Sequence, residues 1–329
     1  MRFLERLPQE IGQAIRSQRV AQYASVSAAG VPIDTPTALF TSPDELTLDI
    51  ATGLAYPAKA ERARRNPRVG LLIEGGADKP VVSIAGMAAV RDADLQANLD
   101  RYLAETALAP GKTAMTDWSV TRQAIWYYAR IFVCITPVHV RWWPNRGAMD
   151  EQPRSWRPPS GGVQIESDPA PSGQASAPPA WPQPPWPELA RAALERNAPC
   201  HLTLLDPEGF PLPIVVREAR ACDDGFQLTL PPGAPWREGK ATLSFQGVEI
   251  FVGDAAAEGS KLRLRVERAL PVLPLVADVS EVLHPKAETR TALMKRLELE
   301  AARRGQPVPA MPRDPPHPTD GALYRASAN

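Results

Sequence analysis

Three cysteines, Cys134, Cys200 and Cys222, are all that this chain of 329 residues contains. Odd in number and far apart, they supply neither a disulfide framework nor a zinc knuckle. They read as small buried apolar side chains in a reducing compartment. Histidine is nearly as scarce. His139, His201, His284 and His317 show no metal-ligand spacing with one another or with a cysteine, so no metal site is expected. Neither sign of charge is in excess, with 37 basic and 37 acidic residues, which leaves no global field for nucleic acid. No apolar run reaches membrane-spanning length. The start, Met1 to Pro8, has no apolar core of the secretory kind. These absences point to a soluble cytoplasmic protein, and not to a nucleic-acid or membrane partner.

Apolar residues make up 44% of the chain, enough for packed cores, and the length suggests two domains. Proline is abundant at 37, much of it in one stretch. From about Gly147 to Trp186 the chain is rich in proline, serine, alanine and glycine, which predicts a linker. Trp156 or Trp181 could still dock on a domain. The expected organisation is a first domain over 1–146, the linker over 147–186, a second domain over 187–305 and an extended proline-rich tail over 306–329.

The first domain opens with a short amphipathic helix over 9–18, and then shows hairpin signals. Tyr23 to Ser27 alternates, Ala29-Gly30-Val31-Pro32 turns, and Ile33 to Phe40 forms a second strand. Strands follow at Leu46–Ala51, Pro67–Leu72 and Val81–Val90. Gly86 inside the last marks a bulge or a close backbone approach. Helices are predicted over Asp92–Thr106, capped by Asp92 or Asp94, and over Trp118–Tyr128. A long strand, Arg130–Trp143, closes the domain, with Pro137 marking an edge or bulge.

The second half repeats this order. A helix, Pro187–Asn197, precedes Cys200–Leu205. The turn Asp206-Pro207-Glu208-Gly209-Phe210-Pro211 parallels Ser27 to Pro32, and Gly253 stands where Gly86 stood. Strands are predicted at Leu212–Arg217, Phe226–Leu230, Ala241–Phe245 and Val248–Val252, and a helix at Pro285–Arg304. One element is not repeated. Between the third strand and Pro67, the first half has a small-residue loop, Thr52-Gly53-Leu54-Ala55-Tyr56-Pro57-Ala58-Lys59, leading into a basic helix. Backbone N–H groups, the helix dipole and the Lys59 charge would favour a phosphate there. The plain alternative is a surface helix whose Arg62, Arg64, Arg65 and Arg68 are solvated. The corresponding stretch of the second half, Pro231 to Lys240, is too short and proline-rich for such a helix.

The ordered set Ala29-Gly30-Val31-Pro32, Ile50-Ala51-Thr52, Lys59 and Asn66-Pro67-Arg68-Val69 resembles the flavin-binding split-barrel family related to pyridoxamine 5′-phosphate oxidase, over roughly residues 18 to 143. The resemblance implies a mainly β fold with α-helices (α+β), here two tandem antiparallel split β-barrels with flanking helices. It implies an FMN-dependent oxidoreductase acting on a small molecule, with FMN between two barrels. Thr52 and Lys59 would meet the phosphate, with Tyr56, Pro57 and Ala58 as the loop. Thr35, Pro36 and Thr37 would lie along the ring, and Ser83 would approach it. Two departures stand against full equivalence. Ala58 replaces an arginine common before the lysine, and Pro36 replaces a phosphate-binding arginine. The Arg-x-His substrate signature is also missing after Trp143. Relatives that use a deazaflavin or haem keep those cofactors as alternatives, with His317 as the haem-ligand candidate. A non-catalytic binding protein that has lost flavin is the rival reading. The second barrel would replace a subunit, making an intramolecular pseudo-dimer, or the whole chain would pair again as a homodimer.

No catalytic side chain is assigned, since a flavin carries the redox step itself. Trp118, Trp126, Tyr127, Tyr128, Trp142 and Trp143 could shape a pocket, but their spacing favours core positions. His139 reads as structural, and Cys134 has no activating base nearby in sequence.

Overall fold

The turn from Ser27 to Val31 folds the first hairpin. Within the computed structural model, which describes residues 2–42, 44–107, 118–159, 166–176, 184–233, 235–271 and 285–315, Gly30 adopts φ 75°, a conformation that favours a residue without a Cβ. Ser27 N donates to the Val31 carbonyl at 2.8 Å, and Gly30 N to the Ser27 carbonyl at 3.0 Å. Strand β1 (Val20–Val26) thereby pairs antiparallel with β2 (Pro32–Thr41). Next come β3 (Leu48–Gly53), β4 (Arg68–Glu74), β5 (Val81–Arg91) and β6 (Arg130–Trp143), in the sheet order β3-β2-β1-β4-β5-β6. Because β3 also pairs with β6, the six strands close into a barrel. Alternate residues fill it, among them Tyr23, Leu48, Ile50, Leu71, Ile84, Val133 and Ile135. Helix α1 (Gln9–Ser17) adds Ile11 and Ile15, and α2 (Ala58–Arg65), between β3 and β4, adds Ala60 and Ala63. No helix among the described residues is long and apolar enough to cross a membrane.

Helix α3 (Leu95–Ala107) starts at Asp94, whose carboxylate accepts the Ala97 N–H at 2.9 Å. The single helix expected over Trp118–Tyr128 is instead two short ones, α4 (Trp118–Thr121) and α5 (Ile125–Tyr128). Ala124 leaves the helical region at φ −94°, ψ 43°. Trp126 and Tyr128 are thereby buried against Tyr102 and Phe132, so packing overrides the local pattern.

Gly86 and Pro137 meet in one bulge. The β5–β6 register shifts between Ala85, opposite His139, and Gly86, opposite Pro137. A Cβ on Gly86 would lie 2.4 Å from the Ile135 side chain. The extra residue exchanges the faces of β6. Val133 and Ile135 point into the barrel before it, and Val140 and Trp142 after it. His139 and Arg141 therefore turn outward, and Arg141 donates to Asp206 of the second half at 3.2 Å.

The second half begins with α6 (Trp186–Glu195) and forms β8 (Cys200–Leu205), β9 (Pro211–Val215), β10 (Glu218–Cys222), β11 (Gly225–Thr229), β12 (Arg237–Phe245), β13 (Glu249–Glu258) and β14 (Lys261–Ala269). Their order is β10-β11-β14-β13-β12-β8-β9. The β8–β9 turn repeats the bonds of the first hairpin. Asp206 N donates to the Phe210 carbonyl at 2.8 Å, Gly209 N donates to the Asp206 carbonyl at 2.9 Å, and Gly209 has φ 83°. The β13–β14 register shifts at Val252/Gly253, matching the Gly86 bulge. The sheet curls so far that its two edge strands are sequence neighbours. Across the break between them, Val216 N reaches Cys200 O on β8 and Arg217 N reaches Thr229 O on β11. No helix separates β11 from β12 among the described residues. The strands β10 and β14 were not foreseen. The first, Glu218-Ala219-Arg220-Ala221-Cys222, carries no apolar stripe.

The two sheets pack face to face through equivalent strands, β2 on β12 and β9 on β4. At one contact Thr242 Oγ1 donates to the Pro32 carbonyl at 3.0 Å. At the repeat-related contact the Pro211 carbonyl lies over Gly70, where a Cβ would approach it to 1.9 Å. Gly70→Ala must therefore push the sheets apart. It is expected to destabilise the fold by about 1–3 kcal/mol, the usual cost of overpacking, read as a lower melting temperature.

Residues of the predicted linker run along the first barrel. Short strand β7 (Arg154–Trp156) pairs with β6, and Trp156 packs on the barrel core; Trp181 lies outside the described residues. Asp168 accepts the N–H groups of Asp92 and Ala93 at 2.8 and 2.9 Å. The last helix among the described residues, α7 (Ala287–Arg303), returns to the first barrel and adds Leu297 and Ala301 to its core. Beyond it, Gln306 and Ala310 bond to α3 and its approach.

Candidate functional site

Strand β3 ends at Thr52-Gly53, and α2 begins at Ala58. Between them Tyr56 N donates to the Gly53 carbonyl at 2.9 Å, and Leu54 N to the Ala129 carbonyl at 2.9 Å. Thr52 Oγ1 donates to the Tyr56 carbonyl at 3.3 Å. Pro57 precedes the helix and makes no side-chain cap, so the first helical N–H groups have no capping side chain.

Three cations gather at this helix start. Lys59 is half-buried, and its Nζ donates to Thr37 Oγ1 at 2.7 Å. Arg62 Nε donates to Ser25 Oγ at 2.8 Å. Arg130 opens β6 opposite Gly53. Its guanidinium lies 4.6 Å from the Tyr102 ring centroid and 4.2 Å from that of Tyr127, while its Nε is buried without a hydrogen-bond partner. A Cβ on Gly53 would meet Arg130 Nη1 at 3.5 Å. Among the described residues, none of these three cations forms an ion pair with a carboxylate.

Burial pushes the Lys59 ammonium down to about 7, with Arg62 and Arg130 adding to the shift and Asp34 opposing it. Burial also lowers Arg62, opposed by Tyr23 and assisted by Arg65. The cluster is electrostatically incomplete, and an anion placed among its members would relieve both the desolvation and the mutual repulsion.

The other arginines of this stretch have separate roles. Arg64 pairs with Asp92 at 2.7 Å, whereas Arg65 and Arg68 are exposed. The solvated reading therefore fits two of the four arginines, Arg65 at the end of α2 and Arg68 at the start of β4.

Of the residues singled out in the sequence, Thr37 and Lys59 are joined directly, and Thr52 and Tyr56 are joined on the loop. Ala58 is the exposed first residue of α2. Ser83 lies apart. It is buried on β5 between Leu72 and Arg141, on the barrel face turned to the second sheet. Pro36, beside Thr37, is covered by the β12–β13 turn, where a Cβ on Gly247 would lie 2.2 Å from its Cδ. Arg130 was missed. Its only sequence signal is its place at the head of the closing strand, and it meets Gly53 only when β3 and β6 pair. Trp126, Tyr128, Trp142 and Trp143 are buried core residues.

A groove of about 1070 Å³ lies elsewhere, lined by α1, Ile73 to Pro80, Trp142 and Arg154; it includes one candidate pocket shaper, Trp142, and none of the predicted cofactor-binding residues. Burial, with Asp49 beside it, pushes the Cys134 thiol up to about 12, which excludes a thiolate near neutrality. His139 is pushed down to about 4 by burial and then by Arg141 and Arg157, so it is neutral. No metal-binding group of His, Cys, Asp or Glu occurs among the described residues, and His284 and His317 lie outside them.

No family model and no curated protein matches the chain. Solved structures do resemble it. General Stress Protein 26 from Bacillus anthracis is 18% identical at a TM-score of 0.31, over 48% of this chain and 99% of that one. A conserved hypothetical protein from Mycobacterium tuberculosis is 24% identical at a TM-score of 0.34, over 43% and 86%. A pyridoxamine 5′-phosphate oxidase-related, FMN-binding protein from Nostoc punctiforme is 15% identical at a TM-score of 0.30, over 41% and 80%. The strand pairings themselves define the class of fold, a closed six-stranded antiparallel barrel followed by a curled sheet that repeats its strand order.

Proposed function

We propose that the first barrel holds FMN by its phosphate at Lys59, Arg62 and Arg130, and that the chain is an FMN-dependent oxidoreductase acting on a small molecule. The observation that carries this reading is the cation cluster without a carboxylate partner at the start of α2. A phosphate there would accept from Lys59, from the two guanidinium groups and from the first N–H groups of α2. Thr37, already bonded to Lys59, would orient the ammonium, and the Thr35–Thr37 strand would border the ring. When bound, the flavin supplies the hydride or electron transfer; the protein binds, orients and shields it. In this reading the second half would take the place of a second subunit, as an intramolecular pseudo-dimer.

The absorption spectrum of the purified protein, with and without added FMN, tests this reading. Flavin bands that stay with the protein through gel filtration are expected. A colourless protein that takes up no added FMN would sink it. One observation favours a second reading, a binding protein without redox chemistry: the Gly247 turn closes over Pro36. That reading, a protein that has lost flavin, predicts that the wild type takes up no added FMN.

A further inference from the structure

An anion loop fails if its own carbonyls point at the ligand, because a carbonyl oxygen repels negative charge. Two carbonyls of this loop, those of Ala55 and Tyr56, are already taken. Thr52 donates to that of Tyr56. The other is held from the far end of the chain, since Arg296 Nε on α7 donates to the Ala55 carbonyl at 2.8 Å. The guanidinium of Arg296 also lies 5.2 Å from the Tyr56 ring centroid, and its Nη2 reaches the Ser176 carbonyl at 3.4 Å. Arg296 is 8% exposed.

Helix α7 is locked in place around this contact. Leu293, Leu297 and Ala301 pack on the first barrel. Glu300, fully buried, accepts from Arg303 at 2.6 Å, from Arg304 at 2.8 Å, and from Ser176 N and Oγ at 2.6 and 2.7 Å. Arg303 also reaches Glu61 of α2 at 3.2 Å, and Arg304 reaches Asp92 at 2.8 Å. The helix that carries Arg296 is therefore tied to α2, the helix that carries Lys59.

We infer that Arg296 is a positioning residue of the Thr52–Lys59 loop: it holds the Ala55 carbonyl away from the anion and fixes Tyr56, so that Lys59 and the first N–H groups of α2 face the ligand. The inference rests on the anion-binding reading of that loop. It makes α7 a working part of a site housed in the first barrel. Arg296 touches no ligand itself.

Arg296→Met and Arg296→Lys in the full chain test it with two readouts. The first is hydrogen exchange without ligand. Arg296→Met should speed exchange in the peptide covering residues 52–60 by about tenfold, the scale of one lost hydrogen bond to a charged group, and leave β4 and β5 unchanged. The second is affinity for FMN and for riboflavin, which lacks the phosphate. Arg296→Met should weaken FMN by about tenfold and leave riboflavin unchanged, with Arg296→Lys in between. Unchanged loop exchange in a folded Arg296→Met protein would overturn the inference. Protection lost throughout the barrel would also overturn it, by showing a purely structural role. A wild-type protein that binds no FMN would defeat the flavin reading alone, and the exchange experiment would still decide whether Arg296 positions the loop.

Discussion

Lys59→Met is expected to raise the melting temperature of the flavin-free protein while abolishing its FMN binding. The ammonium is lowered from 10.5 to about 7 because it is buried near Arg62 and Arg130. A displacement of that size corresponds to roughly 4–5 kcal/mol against the charged form. The Thr37 hydrogen bond recovers part of what burial costs. Methionine keeps the length of the apolar stem and removes the charge, so a net gain of about 1–3 kcal/mol is expected. That is a rise of roughly 2–10 °C for a chain of this size.

The sign of the pH dependence follows. Between about 7 and 10.5 the folded protein binds fewer protons at Lys59 than the unfolded chain does. Stability contributed by this group therefore rises with pH across that window, and its penalty is complete below about 7. Melting curves from pH 6 to 10 should show this slope in the wild type and lose it in Lys59→Met. A variant that is less stable, keeps the slope and still binds FMN would show that Lys59 serves the fold and not an anion.

Asp34→Asn should act in a different pH range. Asp34 is fully buried between the sheets, with one oxygen 3.3 Å from Thr242 Oγ1 and the other without a hydrogen-bond partner. Burial raises its pKa, and His201, Thr203 and Thr242 from the second sheet oppose the rise. From the first barrel it also faces the field of Lys59. His201 in turn is bonded to Glu74 at 2.7 Å. The folded protein holds its Asp34 proton to a higher pH than the unfolded chain. Stability therefore falls as pH rises from the ordinary carboxylate range through the raised value, and it does not return above that. Asparagine keeps the shape and removes the charge. The gain is expected to be about 1–3 kcal/mol at pH 8, the scale of an unsatisfied buried polar group. Near pH 3, where the wild-type carboxyl is protonated in both states, the two proteins should melt together. Denaturant titrations at the two pH values measure this. An Asp34→Asn protein less stable at pH 8 would mean that the charge is satisfied across the interface.

The sequence foretold the fold where local chemistry decides it. Gly30 and Gly209 fixed two matching turns, Gly86 with Pro137 marked the bulge, and Asp94 capped α3. Strand β14 is legible in the alternation Lys261-Leu262-Arg263-Leu264-Arg265. By contrast, β10 is set by its pairing with β11, which no local pattern reveals. The helix break at Ala124 is likewise imposed by the buried aromatics around Tyr102.

The candidate site divides in the same way. Lys59 and its loop could be read from adjacent residues. Arg130 and Arg296 could not, because one reaches the loop through barrel closure and the other through the return of α7. The charged frame of Glu61, Asp92, Glu300, Arg303 and Arg304 joins residues over 200 positions apart, so composition gives no hint of it.

The central claim is that the uncompensated cations at the start of α2 await a flavin phosphate. Parallel titrations with FMN and riboflavin, followed by flavin fluorescence at low and high salt, test it most directly. Three cations acting on one phosphate should favour FMN by at least about a hundredfold at low salt, and the advantage should shrink as salt rises. Equal affinities for the two flavins, unaffected by salt, would contradict the claim.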